Sequence, residues 1–203
     1  LFEGRWGLRK ADGKEVYATA KEEFNKILTK ITPLLQPSFI YGFYPVIIKK
    51  NELWISTKPT QERDDDWEYF ASFPTGHHME CFTDLYMTSS SNATLPLQVV
   101  TLGDQVTQYI STLYSENKYE KYYKYHGLLV ELTEALATQA QQIATSKLHF
   151  ICPQGDVIVD KTWRYSFGYP LCPNLEGNKA LCDLLDAQRI GITLSESFQM
   201  EPV

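Results

Sequence analysis

Arg164-Tyr165-Ser166-Phe167-Gly168-Tyr169-Pro170-Leu171-Cys172-Pro173 lies in a turn-rich segment between a long helical run and a shorter one. Arg164 is a permanently charged, planar fork suited to a carboxylate or phosphate. Ser166 and Gly168 are small, so a ligand can approach the backbone closely. Phe167 and Tyr169 offer flat apolar walls, and Tyr169 adds a hydroxyl. Pro170 and Pro173 fix φ and stiffen the exit. An anion clamp, an open backbone and aromatic walls suit a small zwitterionic or charged organic ligand. The same residue types equally suit a loop whose arginine is solvated and whose aromatics plug a core.

The flanks of this stretch set its context. Upstream, residues 118–147 read as a long helix, with Leu128 or Leu129, Leu132, Leu136, Ala140 and Ile143 as its core stripe and Gly127 as an interruption. Residues 148–163 are irregular. Downstream, Asn174 can cap a helix over 176–187, Gly191 makes a turn, and Ile192–Met200 reads as one strand that should pair with another. Further upstream, Asp104 caps a helix over 105–116, and Leu97–Gly103 reads as a strand with a glycine stop. Residues 15–35 are an amphipathic helix whose end is crowded by Pro33 and Pro37. Between them, 38–57 reads as a hairpin or meander turning at Lys49-Lys50-Asn51-Glu52, with Gly42 and Pro45 marking a kink or a close backbone approach. Residues 67–73 and 81–87 read as strands, and 88–94 as a surface loop. The expected fold class is α+β, an antiparallel sheet with flanking helices, in a single domain over 1–203.

Composition bounds the function. The 203 residues are 43% hydrophobic and 22% charged, as in an ordinary globule. A net charge of −6 argues against a nucleic-acid or anionic-membrane surface, which needs a basic face. No apolar run is long enough to span a membrane. Cys81, Cys152, Cys172 and Cys182 show no CxxC pairing and read as reduced cytosolic thiols. His77-His78 before Cys81 reads as a polar loop, since no second ligand pair of zinc-like spacing occurs. Asp64-Asp65-Asp66 reads as a solvated loop without the alternation of a calcium site. His126 reads as a structural helical histidine. There is no phosphate loop, dinucleotide glycine signature or Gly-x-Ser-x-Gly elbow. Leu1 and Val203 look like mid-chain residues, so a fragment truncated at both ends is expected.

The stretch Arg164–Pro173, with Arg189-Ile190-Gly191 and Leu194–Met200 after it, resembles the C-terminal activation domain of cobalamin-dependent methionine synthase. Leu1-Phe2-x-Gly4-Arg5-Trp6, Tyr41–Pro45, Leu97–Gly103, Tyr125-His126-Gly127 and Leu132–Ala137 resemble further family stretches, in the family's order over nearly the whole chain. The resemblance implies a mixed α+β fold that binds S-adenosylmethionine, within a cytoplasmic methyltransferase of methionine biosynthesis. Its implied work is to present the sulfonium methyl to cob(I)alamin formed by one-electron reduction of cob(II)alamin. Cobalamin is implied to sit in a separate domain, of the same or a partner chain, and a flavodoxin-like reductase to supply the electron. Arg164 would take the methionyl carboxylate, Ser166 and Gly168 would contact the ligand through open backbone, and Tyr169 would wall or hydrogen-bond it. No residue is implied as a nucleophile, and no metal site within the chain. The sequence departs from the family pattern in three ways. An Asp that contacts the ligand amine would precede Leu1, a strand with an aromatic contact would follow Val203, and the acidic residue six positions before the arginine is Ile158. Two other readings are a stand-alone module reactivating a separately encoded corrinoid protein, and a structural domain that keeps the fold without the ligand.

Overall fold

The computed structural model describes residues 14–58, 66–74, 93–151 and 164–202. They belong to two compact units: 1–38, 100–137 and 202–203 form one, and 39–99 with 138–201 form the other.

The first unit is helical. In α1 (Lys14–Ile31), Ile27 and Ile31 stand one turn apart and are buried. Thr32-Pro33-Leu34 tightens into a 3-10 turn, with the proline where a missing N–H costs nothing. α2 (Asp104–Ser115) buries Val106, Ile110 and Leu113 at helical spacing. α3 (Tyr119–Ile151) brings Tyr125, Leu128 and Leu129 to the same cluster. Lys124 of α3 donates from Nζ to Glu120 at 2.8 Å and to Glu23 of α1 at 2.7 Å, and these carboxylates hold its pKa well above the usual lysine range.

Two expectations are corrected here. Gly127 does not interrupt α3, because helical hydrogen bonding runs through it and its absent Cβ faces open space. Asp104 is the first residue of α2, not its cap. Gly103 stands before it at φ 91, and no side chain caps the helix. The glycine is required: a Cβ there would lie 2.7 Å from Cβ of Gln36, whose N–H donates to the carbonyl of Leu102 at 2.7 Å. Buried Thr101 fastens the same corner, accepting from the Gly103 N–H at 3.0 Å and donating to the Pro202 carbonyl at 3.3 Å.

The sheet has the order β3-β2-β1-β4, formed by β1 (Ser38–Lys49), β2 (Glu52–Ile55), β3 (Glu68–Ser72) and β4 (Ala93–Thr101). β1/β2 and β2/β3 are antiparallel. Lys50 takes φ 61 in the tight turn, and Lys49 pairs with Glu52 as expected for that hairpin. β1 continues through Gly42 and Pro45, and what crowds Gly42 is the ring of Tyr44, 2.6 Å from an ideal Cβ. Strand alternation sends Val46, Leu53 and Ile55 into a core with Phe70, Ala71, Phe73 and Leu95. Trp54 points the other way, beside Tyr69 and under the Lys49 ammonium.

α4 (Gly177–Leu185) lays Ala180, Leu181 and Leu184 on that core and turns Cys182 and Leu185 toward a neighbouring cluster of Val99, Ala187 and Ile192. Burial pushes the Cys182 thiol up from its ordinary pKa. A 3-10 turn (Ala187–Ile190) ends at Gly191, φ 79. The single strand expected over 192–200 is instead a hairpin of β5 (Thr193–Leu194) and β6 (Met200–Glu201). The segment finds its partner in itself, because Ser195-Glu196-Ser197 turns the chain back. The Ser195 N–H donates to the Gln199 carbonyl at 2.9 Å, and the Phe198 N–H to the Ser195 carbonyl at 3.0 Å. The acidic run is corrected at its described member: Asp66 is buried and pairs with Lys58 at 2.7 Å. The loop expected over 88–94 is corrected at Ala93, where β4 begins, and the irregular stretch expected over 148–163 is corrected as far as Ile151, where the long helix ends. Residues 81–87, 88–92, Asp64, Asp65, His77, His78, Cys81 and Cys152 lie outside the described residues. Among the described residues, no helix is long and apolar enough to cross a membrane.

Adjacent substitutions in α3 should act with opposite sign. Leu128 is fully buried, so Leu128→Ala should cost about 2–5 kcal/mol in urea unfolding. Gly127→Ala meets no neighbour and should stabilise by up to about 1 kcal/mol through helix propensity.

Candidate functional site

The stretch Arg164–Pro173 folds as two linked tight turns. The Tyr169 N–H donates to the Ser166 carbonyl at 3.3 Å, closing the first, and Gly168 occupies its third position at φ 91. A positive φ at that position is the requirement of a type II turn, and glycine meets it without strain. The Cys172 N–H donates to the Tyr169 carbonyl at 2.8 Å, closing the second turn with Pro170 at its second position, where the ring's fixed φ belongs. The Gly168 N–H donates to the Cys172 carbonyl at 2.7 Å and ties the two together.

Alternate residues of this double turn have opposite fates. The Phe167 ring stacks on Phe73 at 6.5 Å and 11° and tilts against Phe70 at 6.2 Å. Tyr165 and Leu171 pack on the same core, and Cys172 is buried in it. Ser166, Gly168, Tyr169 and Pro170 are exposed, with Tyr169 at 62%. Arg164 is half-buried at the start of the turn. The expected pair of aromatic walls is therefore corrected: Phe167 is an anchor in the core, and Tyr169 alone of the two faces outward. Arg164, Ser166, Gly168 and Tyr169 share one short segment, and the last three share its solvent side.

The first turn of α4 supports this segment. Leu175 lies where a Cβ on Gly168 would come within 2.9 Å of its side chain. Gly177, the first helical residue, leaves room for Phe167: a Cβ there would lie 2.3 Å from the ring. Asn174 does not cap α4 in the expected way. Its Oδ1 accepts from the Glu176 N–H at 3.0 Å, one residue before the helix begins. Leu175 and Gly177 are absent from the expected site. Gly177, opening a helix just after the Pro-rich turn, is the one local signal of a close approach that a sequence carries.

The other candidates do not gather here. His126 belongs to α3, half-buried against the Tyr122 ring at 5.5 Å. Asp156, Ile158 and Asp160 lie outside the described residues. Among the described residues, no three His, Cys, Asp or Glu side chains are grouped to hold a metal ion. The site thus consists of a charged fork, an open backbone and one exposed phenol on a rigid support.

Comparison with known proteins places this architecture. The family model described as "Vitamin B12 dependent methionine synthase, activation domain" matches residues 8–203. The chain is 27% identical to methionine synthase of Mycobacterium tuberculosis (strain ATCC 25618 / H37Rv) and 26% identical to that of Mycobacterium leprae (strain TN). In each case all of this chain aligns, and it spans 19% of the relative's length. Among solved structures, a MetH reactivation domain bound to AdoHcy superposes with a TM-score of 0.71 at 19% identity, covering 96% of this chain and 65% of that one. The shared architecture includes the antiparallel sheet with flanking helices expected from the sequence.

Gly177→Ala tests the support. Phe167 cannot swing aside, because Phe73 and Phe70 flank it. Overpacking costs about 1–3 kcal/mol, while alanine returns at most about 1 kcal/mol of helix propensity. Chemical denaturation should therefore show net destabilisation, whereas Tyr169→Ala should stay within about 0.5 kcal/mol of the parent.

Proposed function

The chain belongs to the family of vitamin B12 dependent methionine synthase activation domains, and from that premise we propose that it binds S-adenosylmethionine on the Arg164–Tyr169 turn. The observation that carries the reading is the division of labour within the turn. Phe167 is fixed in the core, and Ser166, Gly168 and Tyr169 are held outward beside Arg164. The structural neighbour's bound AdoHcy is consistent with a ligand of this class.

The residues suit the ligand's chemistry. The Arg164 guanidinium pairs with the methionyl carboxylate through charge-assisted hydrogen bonds. Gly168, without a Cβ, lets the ligand lie against the backbone, and the exposed Tyr169 ring provides a face and a hydroxyl. The chain contributes position: a tethered methyl donor meets its acceptor as one bound reactant meets another, without the entropy of a free encounter. Cobalamin, held by a separate domain and reduced by one electron from a flavodoxin-like protein, would supply the nucleophile for the sulfonium methyl, with S-adenosylhomocysteine as the leaving group. In this reading residues 1–203 act together as one activation domain of a cytoplasmic methyltransferase.

Isothermal titration of the full-length protein with S-adenosylmethionine tests the assignment. Arg164→Ala should cost about 2–5 kcal/mol of binding free energy if the guanidinium pairs with a desolvated carboxylate. Tyr169→Ala should weaken binding by a smaller amount. Unchanged affinity in Arg164→Ala would remove the clamp from the proposal.

A further inference from the structure

We propose that Asn178 is a positioning residue for S-adenosylmethionine binding, acting through the first turn of α4 on the Ser166–Tyr169 turn. This rests on the reading that the turn binds the ligand. Asn178 is the second residue of α4 and only 8% exposed. Asparagine is a poor helix former, because its amide competes with the backbone for hydrogen bonds. Here the amide has a tertiary partner: Nδ2 donates to the Phe198 carbonyl at 2.9 Å.

Phe198 stands at φ 61, a conformation that an aromatic residue adopts only under constraint. The constraint inside the hairpin comes from Ser195. Its Oγ accepts from the Gln199 N–H at 3.1 Å, and its carbonyl accepts from the Phe198 N–H at 3.0 Å. The constraint from outside the hairpin comes from Asn178. The bond therefore works in both directions, holding the strained carbonyl in place and holding the start of α4 to the hairpin.

That start is fastened locally by the Gly177 N–H to the Asn174 carbonyl at 3.3 Å and the Asn178 N–H to the Leu175 carbonyl at 3.0 Å, and the Asn178 amide ties it to the hairpin. Glu176, the residue before the helix, makes no side-chain cap. Yet the neighbours of Asn178 set the ligand turn: Gly177 makes room for Phe167, and Leu175 bounds Gly168. Helical residues rise by about 1.5 Å each, so a shift of Asn178 carries Gly177 with it. Loosening the amide bond moves the support on which Phe167 and Gly168 rest.

The test is calorimetric titration of the full-length protein with S-adenosylmethionine at 10 °C, with circular dichroism melts to confirm folding. Asn178→Ala should weaken affinity about fivefold to tenfold, the range of one lost neutral hydrogen bond. Phe198→Gly, which keeps the acceptor carbonyl and removes the strain at φ 61, should leave affinity near the parental value while Asn178 is present and should not restore it in the Asn178→Ala background. If Asn178→Ala fails to fold, Asn178→Ser serves in its place, with the same expected loss. A folded Asn178 variant with parental affinity and only a lower melting temperature has a structural role alone, and overturns the inference. Failure of the underlying reading looks different. Parental protein and Arg164→Ala would then bind alike or not at all, and the inference would fall with it.

Discussion

The Phe167 ring, wedged between Phe73, Phe70 and the bare backbone of Gly177, is the contact on which the candidate site depends. A stacked and a tilted aromatic neighbour contribute roughly 0.5–1.5 kcal/mol per pair beyond the apolar area removed from water. The geometric consequence matters more than the energy. With Phe167 fixed and Gly168 at positive φ, Ser166 and Tyr169 have no freedom to exchange faces with it. Two tight-turn hydrogen bonds and a third across them, from Gly168 to Cys172, complete the constraint. Little ordering entropy then remains for a ligand to overcome at this wall, which is the general advantage of a preorganised site.

Regular elements with one buried face were legible from the sequence. Ile27 and Ile31, then Val106, Ile110 and Leu113, repeat at helical spacing and are buried where that spacing puts them. The hairpin at Lys49–Glu52 was legible because alternation and turn chemistry agree there. What misled were residues judged by type. Gly127 reads as a breaker, but a glycine costs a helix only about 1 kcal/mol, and thirty-three residues of α3 absorb that. Asp66 reads as solvated beside two other acids, but Lys58 lies eight residues away and pairs with it. Over 192–200, β-forming residues suggested one strand. The turn at Ser195–Phe198 instead uses a positive φ at a phenylalanine, which no propensity rule anticipates.

The candidate site was legible in its chemistry and illegible in its orientation. Arg164, Ser166, Gly168 and Tyr169 read as a fork, small residues and a phenol, and they occupy one short segment. Two aromatics two residues apart look equivalent in a list. They separate in the structure because the intervening glycine reverses the chain, sending Phe167 to the core and Tyr169 to solvent. Of the supporting residues, Gly177 is marked only as a helix-opening glycine, and Leu175 and Asn178 carry no chemistry that would mark them. Their importance is steric and relational, so it emerges only when the first turn of α4 is set beside the loop.

In the proposed reading, the site positions a reactive group made elsewhere. A nucleophilic side chain needs an activating base in hydrogen-bond reach and an environment that shifts its pKa. In the Arg164–Pro173 segment Ser166 is exposed on a turn, and the segment around it includes a glycine, three aromatics and two prolines. The segment offers a planar guanidinium fork and a backbone opened by the lack of a Cβ. Such groups hold a ligand in one orientation and leave its bonds unchanged. A methyl on a sulfonium is already activated, so a domain that delivers it gains most from rigidity at the contact. The Phe167 ring against Gly177, with Leu175 beside Gly168, supplies that rigidity.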